Sequence, residues 1–192
     1  LDAEKLMKLL SPRDLNKMKP DHCFYVPMVD KNGGILNDPV VLKIKDDEYW
    51  ISIADSDYLF YALGVADALN LQVMIDEPDI SPLAVQGPKS TDLMVKIFGS
   101  EVRGIKYFRY KKLRFEDREM LVARSGYSKQ GGFEIYVNGF EYGMPLWESL
   151  MGAGEEFNVR VGCPNLIERI EGGLLSYGND ITREHTPYEA GL

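Results

Sequence analysis

One stretch constrains this chain more than any other: a glycine-broken polar loop, Ser125-Gly126-Tyr127-Ser128-Lys129-Gln130-Gly131-Gly132, that runs straight into Phe133-Glu134-Ile135-Tyr136-Val137. Successive strand side chains point to opposite faces. Phe133, Ile135 and Val137 therefore share one face, and Glu134 and Tyr136 the other. A carboxylate is thus fixed on a strand beside a loop of high backbone freedom. This is either an ordinary hairpin with its polar face in water or a site built on a rigid element, and the rest of the chain has to decide between them.

A second carboxylate stands in a less comfortable place. Asp30-Lys31-Asn32-Gly33-Gly34 is a turn signal between strands predicted at 23–30 and 35–44. Alternation in the second strand puts Leu36, Asp38, Val40, Leu42 and Ile44 together, so Asp38 is predicted on the apolar side. A carboxylate there must find a hydrogen-bond partner or shift its pKa, because burying a lone charge is costly. On one reading Asp38 is structural and caps the bulge that Pro39 imposes, since proline cannot join a central ladder. On the other it is functional, as perturbed carboxylates concentrate in active sites.

The remaining pattern is mixed. A helix over 2–10 carries Leu6, Leu9 and Leu10 on one stripe and stops at Ser11-Pro12. A strand over 49–54 leads to Asp55-Ser56-Asp57, which can cap a helix bearing Leu59, Phe60, Leu63, Val65 and Ala66. Short strands are predicted at 71–75 and 80–85. Gln86-Gly87-Pro88-Lys89 then turns into a helix capped by Ser90, with Leu93, Met94, Ile97 and Phe98 inward. Strands at 107–115 and 119–124 follow, with Tyr107, Phe108, Tyr110 and Phe115 read as sheet packing. Helices begin near Pro145, covering Leu146, Trp147, Leu150 and Met151, and after Pro164, where Asn165 and Glu168 stand at capping-box spacing. Strands and helices mix irregularly, without a repeat or low-complexity linker, which predicts an α+β fold of mostly antiparallel sheets with packed helices.

At 192 residues, 45% hydrophobic and 27% charged, the chain can bury a core as one sizeable domain or two small ones. Its net charge of -8 repels a polyphosphate backbone, so no nucleic-acid partner is expected. No apolar run approaches the roughly 20 residues of a membrane span. The two cysteines, Cys23 and Cys163, and the two histidines, His22 and His185, provide neither a metal site nor a disulfide framework. A reducing, cytoplasmic setting without a metal is expected. The glycines match no phosphate-loop, dinucleotide or nucleophile-elbow spacing. The start at Leu1, with no initiating Met or leader, reads as an internal fragment.

Several segments together resemble one family. Gly33-Gly34-Ile35-Leu36-Asn37-Asp38, then Leu83-Ala84-Val85-Gln86-Gly87-Pro88-Lys89, then Ser125 to Ile135, then Arg169-Ile170-Glu171-Gly172-Gly173 with Tyr177-Gly178-Asn179-Asp180, and last Thr186-Pro187-Tyr188-Glu189-Ala190-Gly191-Leu192 stand in the order found in the folate-binding aminomethyltransferases, the family of the glycine cleavage T-protein. Within that family Asn37 to Lys43, Trp50 to Asp57, Ser128 to Gly132 and Gly162 to Glu171 are similar to the branch that demethylates dimethylsulfoniopropionate. Ala54 and Asn165 stand where T-proteins carry Asn and Arg, which separates the chain from a lipoyl-protein-dependent role in glycine cleavage.

The resemblance implies a fold of two interlaced α+β subdomains, with an N-terminal segment and a C-terminal β-rich domain lying outside this sequence. It implies tetrahydrofolate as cofactor and a small-molecule methyl donor as partner. Glu134 falls on the glutamate that hydrogen-bonds the pterin ring, and Tyr127 and Tyr25 fall on aromatic positions of the folate channel. Asp38 falls on the catalytic aspartate near the folate nitrogens and the transferring carbon. The activity implied is methyl transfer from dimethylsulfoniopropionate to tetrahydrofolate. The alternatives are a relative acting on dimethylglycine, glycine betaine or an aminomethyl carrier, and a folate-binding protein without turnover.

Overall fold

The computed structural model describes residues 1–53, 57–162 and 166–192. Ala54, the Asp55-Ser56 part of the first predicted cap, and Cys163, Pro164 and Asn165 lie outside the described residues. The chain divides into two compact units, Leu1–Glu77 with Leu175–Leu192, and Pro78–Leu174.

In the first unit, helix α1 (Ala3–Leu10) buries Leu6, Met7 and Leu10. Leu9, predicted inward, is 49% exposed, because the helical stripe turns through Met7 instead. The predicted hairpin is two short ladders: β1 (Cys23–Tyr25) and β2 (Met28–Val29) face β4 (Val40–Lys45) and β3 (Ile35–Asn37). Pro27 and Pro39 split it, as each lacks the N–H a continuous ladder needs. Strand β5 (Glu48–Ser52) completes an antiparallel sheet of order β1-β4-β5. Helix α2 (Tyr58–Ala68) turns Tyr58, Ala62 and Ala66 inward at four-residue spacing and leaves Phe60 71% exposed. No strand forms at 71–75: the Gln72 N–H donates to Asp2 Oδ2 at 2.8 Å, and its carbonyl accepts from the Asp2 N–H at 3.2 Å. Residues 175–192 dock on the β2–β3 turn, where Arg183 pairs with Asp30 at 2.7 Å and the Ile35 N–H donates to the His185 carbonyl at 2.9 Å.

The second unit is a four-stranded antiparallel sheet, β6 (Ile80–Gln86), β7 (Tyr110–Phe115), β8 (Arg118–Ala123) and β9 (Gly132–Asn138), in the order β6-β9-β8-β7. Helices α3 (Ser90–Phe98), α4 (Gly143–Gly154) and α5 (Leu166–Glu171) complete it. Phe133, Ile135 and Val137 pack with Leu93, Met94, Leu146 and Leu150 in one core, as alternation in β9 predicts. Tyr136 on the opposite face is also buried. Lys89, not Ser90, occupies the α3 N-cap, and Ser90 is the first helical residue. Among the described residues no helix is long and apolar enough to cross a membrane.

Candidate functional site

Glu134 lies at the end of the second unit's sheet where β6 and β8 finish and β9 begins. It pairs with Ala84 on one side and Ala123 on the other, while Gln86 stands opposite Gly132. Strand β9 fixes the backbone of Glu134, and the loop after β8 delivers Ser125, whose hydroxyl donates to Glu134 Oε2. Glu134 is half-buried. Burial pushes its pKa above the ordinary 4.5, and the Ser125 hydrogen bond pulls the other way.

Backing this pair is Gln86. Its Nε2 donates to the carbonyls of Ser125 at 3.1 Å and Phe133 at 3.2 Å, and its Oε1 accepts from the Ser128 hydroxyl at 2.8 Å. Gly126 and Gly132 carry φ of +154° and +153°, and a Cβ at either would run into the Gln86 amide. Tyr127, predicted to line a channel, is 47% exposed on this loop. Tyr107 is 73% exposed, which corrects its assignment to sheet packing. Its ring meets that of Phe108 with centroids 4.7 Å apart. Phe108 has φ of 54°, an uncommon conformation for a bulky residue, and its N–H donates to the Arg124 carbonyl, one residue before Ser125. The sequence pattern placed both rings in a strand starting at 107, whereas β7 begins at Tyr110 and leaves the pair ahead of it.

Asp38 belongs to the first unit and sits in the gap between β3 and β4. Parity along β3 is the reverse of that expected: Ile35 and Asn37 are buried, and Asp38 is half-buried. Ile35, Asn37, Pro39 and Val41 are the buried positions and Leu36, Asp38 and Val40 the half-buried ones, and this alternation breaks only at Leu42 and Lys43, which are both buried. Tyr25 Oη donates to Asp38 Oδ2 at 2.8 Å, which joins two residues predicted separately, and the Asp38 N–H donates to Asn37 Oδ1 at 2.8 Å. Burial raises the Asp38 pKa above its ordinary 3.8 against the opposing Tyr25 hydrogen bond.

The two carboxyl groups offer distinct chemistry. Ser125 takes one oxygen of Glu134, and Oε1 makes none of the hydrogen bonds found among the described residues, which leaves it to accept from the N–H edge of a flat heterocycle. Asp38 with its phenol partner suits a cation. No cluster of three or more His, Cys, Asp or Glu residues that could hold a metal is found among the described residues.

The raised Glu134 pKa has a measurable sign. The folded state holds this proton more tightly than the unfolded chain, so stability present below pH 4.5 is lost as pH rises through the folded pKa. In calorimetry from pH 4 to 8, Glu134→Gln should melt about as the parent does at the acid end and at higher temperature above that window. A difference in Tm independent of pH would contradict the assignment.

The family described as the GCVT N-terminal domain matches the chain over residues 1–192. The chain is similar to the dimethylsulfoniopropionate demethylase of Ruegeria pomeroyi, with 62% identity over 191 residues covering 100% of this chain and 52% of that protein. It is similar also to the aminomethyltransferase of Thermoanaerobacter pseudethanolicus, with 34% identity over 201 residues covering 100% of this chain and 53% of that protein. Among solved structures, the glycine cleavage system aminomethyltransferase T of Bartonella henselae shares the fold, with a TM-score of 0.77 at 21% identity over 97% of this chain and 50% of that one. The chain spans about half the length of the curated relatives it matches.

Proposed function

Because the chain belongs to the GCVT N-terminal domain family, we propose that this protein is a tetrahydrofolate-dependent one-carbon transferase that takes a methyl group from dimethylsulfoniopropionate. The observation that carries the reading is Glu134, a half-buried carboxyl held by Ser125 at the end of a rigid strand, with an oxygen left for a ring N–H. The 62% identity to a dimethylsulfoniopropionate demethylase supports the choice of donor.

Tetrahydrofolate, when bound, supplies a nucleophilic nitrogen to receive the one-carbon unit. Glu134 would hold the pterin edge and fix the orientation of the ring, and Tyr127 would give it an aromatic face. Asp38, ionised and kept in place by Tyr25, would stabilise the sulfonium charge of the donor. A methyl on a sulfonium already carries a good leaving group, because the C–S electron pair returns to sulfur as a neutral thioether. The residues therefore need to align donor and acceptor and exclude water, and need not activate a leaving group. We place the reaction in the cytoplasm, in keeping with two widely separated cysteines and no disulfide framework. The 34% identity to an aminomethyltransferase favours a second reading, transfer from an aminomethyl carrier or a methylated amine.

Incubating the protein with tetrahydrofolate and, separately, dimethylsulfoniopropionate, dimethylglycine or glycine betaine distinguishes the two. Methylated folate detected by mass with the sulfonium alone is the expected result, and product only with an amine would overturn the choice of donor. Glu134→Ala should weaken tetrahydrofolate binding about tenfold or more, the cost of one hydrogen bond to a charged group. Unchanged affinity in titration calorimetry would remove Glu134 from the site.

A further inference from the structure

We propose that Gln86 is a positioning residue for Glu134, tying the loop that carries Ser125 to the strand that carries Glu134. This rests on the reading of Glu134 as the group that holds the pterin. One amide reaches both halves of the Ser125–Glu134 pair. Its Nε2 donates to the carbonyl of Ser125 itself and to that of Phe133, the residue directly before Glu134, 39 and 47 positions along the chain. Its Oε1 takes the hydroxyl of Ser128, so the loop is held at two points three residues apart. These partners also fix which way the amide points. Reversed, its oxygen would face two carbonyl oxygens, which have no proton to give.

The space for this side chain is made by two glycines. A Cβ at Gly126 would collide with the Gln86 amide, and a Cβ at Gly132 would meet both that amide and the Val85 carbonyl. Both glycines have backbone angles that side chains disfavour. Loop, strand and amide therefore interlock, and the ladder bond from the Gly87 N–H to the Gly131 carbonyl at 2.8 Å continues the pairing past Gln86. Ser125 and Ser128 are both buried, as a loop pinned from beneath requires.

Without the amide none of the hydrogen bonds among the described residues ties the Ser125 carbonyl to β9, and the hydroxyl is no longer aimed at Glu134. The carboxylate would then lose the Ser125 hydrogen bond while keeping its burial. Among the described residues no other charged group offsets this. On β6 the neighbour is Ala84, on β8 it is Ala123, and Arg124 spends its guanidinium on the Ile105 carbonyl and the face of Phe133.

The test is a carboxyl-carbon NMR titration of Glu134 in the full chain labelled at glutamate, for the parent, Ser125→Ala, Gln86→Met and Gln86→Asn. Methionine keeps the length and removes the polar atoms, whereas asparagine keeps the amide and shortens its reach. Either substitution at Gln86 is expected to raise the Glu134 pKa in the direction of Ser125→Ala and by about one pH unit. Gln86→Met combined with Ser125→Ala should go no further than Ser125→Ala alone, and tetrahydrofolate affinity should fall about tenfold. A residue that merely stabilises β6 would lower Tm and leave the titration of Glu134 where it is. A parental titration curve in a folded Gln86 variant therefore overturns the proposal. If Glu134→Ala leaves tetrahydrofolate affinity unchanged, the functional reading fails, and the titration still decides the role of Gln86.

Discussion

Alanine at Gly34 is expected to lower the stability of the first unit by about 3 kcal/mol, or roughly 6–12 °C in Tm for a chain of this size. The added Cβ would be driven into the carbonyl oxygen of Arg183, with the Arg183 side chain and carbonyl carbon 3.3 Å away behind it. Backbone cannot rotate aside as a side-chain tip can, so either β3 or the 175–192 segment must lift. Gly34 is also part of the bonded turn. Its N–H donates to Asp30 Oδ1 at 3.1 Å, its carbonyl accepts from the Asp30 N–H at 2.9 Å, and Asp30 in turn holds Arg183. Lifting the segment therefore loosens an ion pair and a turn together, and the turn counts for more, since the Arg183 end of the pair is 66% exposed. Thermal melts followed by circular dichroism measure the effect. A Tm within about 2 °C of the parent would mean that the close approach is not part of the native structure.

Asp38→Asn is expected to cut kcat about a hundredfold or more with the fold intact, the usual cost of removing a charge aimed at the reacting centre. Asparagine keeps the shape and still accepts from Tyr25, so a loss of rate would report the charge and not the packing. Tyr25→Phe provides a second readout. Its hydroxyl favours the ionised form of Asp38, so without it the pKa should rise by about one unit. If activity needs the carboxylate, the acid limb of the pH–rate profile then moves to higher pH, and the loss is larger on the acid side than at pH 8. A uniform loss across pH would assign Tyr25 to packing. Full activity in Asp38→Asn would remove Asp38 from catalysis.

The legibility of this chain follows the reach of its interactions. Strand β9 could be read because one of its faces is buried in a single core, so period two survives in the sequence. The same rule misplaced Asp38, because the more buried face carries the odd positions Ile35, Asn37, Pro39 and Val41, and with a polar Asn37 among them hydrophobicity alone marked the other face. It also suggested a strand at 71–75, where alternating Leu71, Val73 and Ile75 face the core while the backbone is met by the chain start and not by a ladder. Asp38 was visible as a carboxylate expected on the apolar side of its strand and Glu134 as one fixed on a strand beside a glycine loop, and the family motifs pointed to both. Their partners were less visible. Tyr25 was picked as an aromatic lining residue, yet its bond to Asp38 depends on the proline-split hairpin. Ser125 and Gln86 lay inside recognised motifs, but nothing local says that an amide 39 residues upstream will hold the loop.

The first unit is assembled from two stretches of sequence separated by the whole of the second. On a ribosome that order matters. Residues 1–77 emerge first but must wait for residues 175–192 before Asp30 meets Arg183 and Gly34 is covered. At roughly 5–20 residues per second the delay is on the order of ten seconds. The second unit is continuous in sequence and can close during that interval. Nascent chains would thus carry the folded strand and loop around Glu134 while the unit that holds Asp38 still lacked residues 175–192. A cell making this protein has that interval in which chaperones or proteases can act on the unfinished first unit.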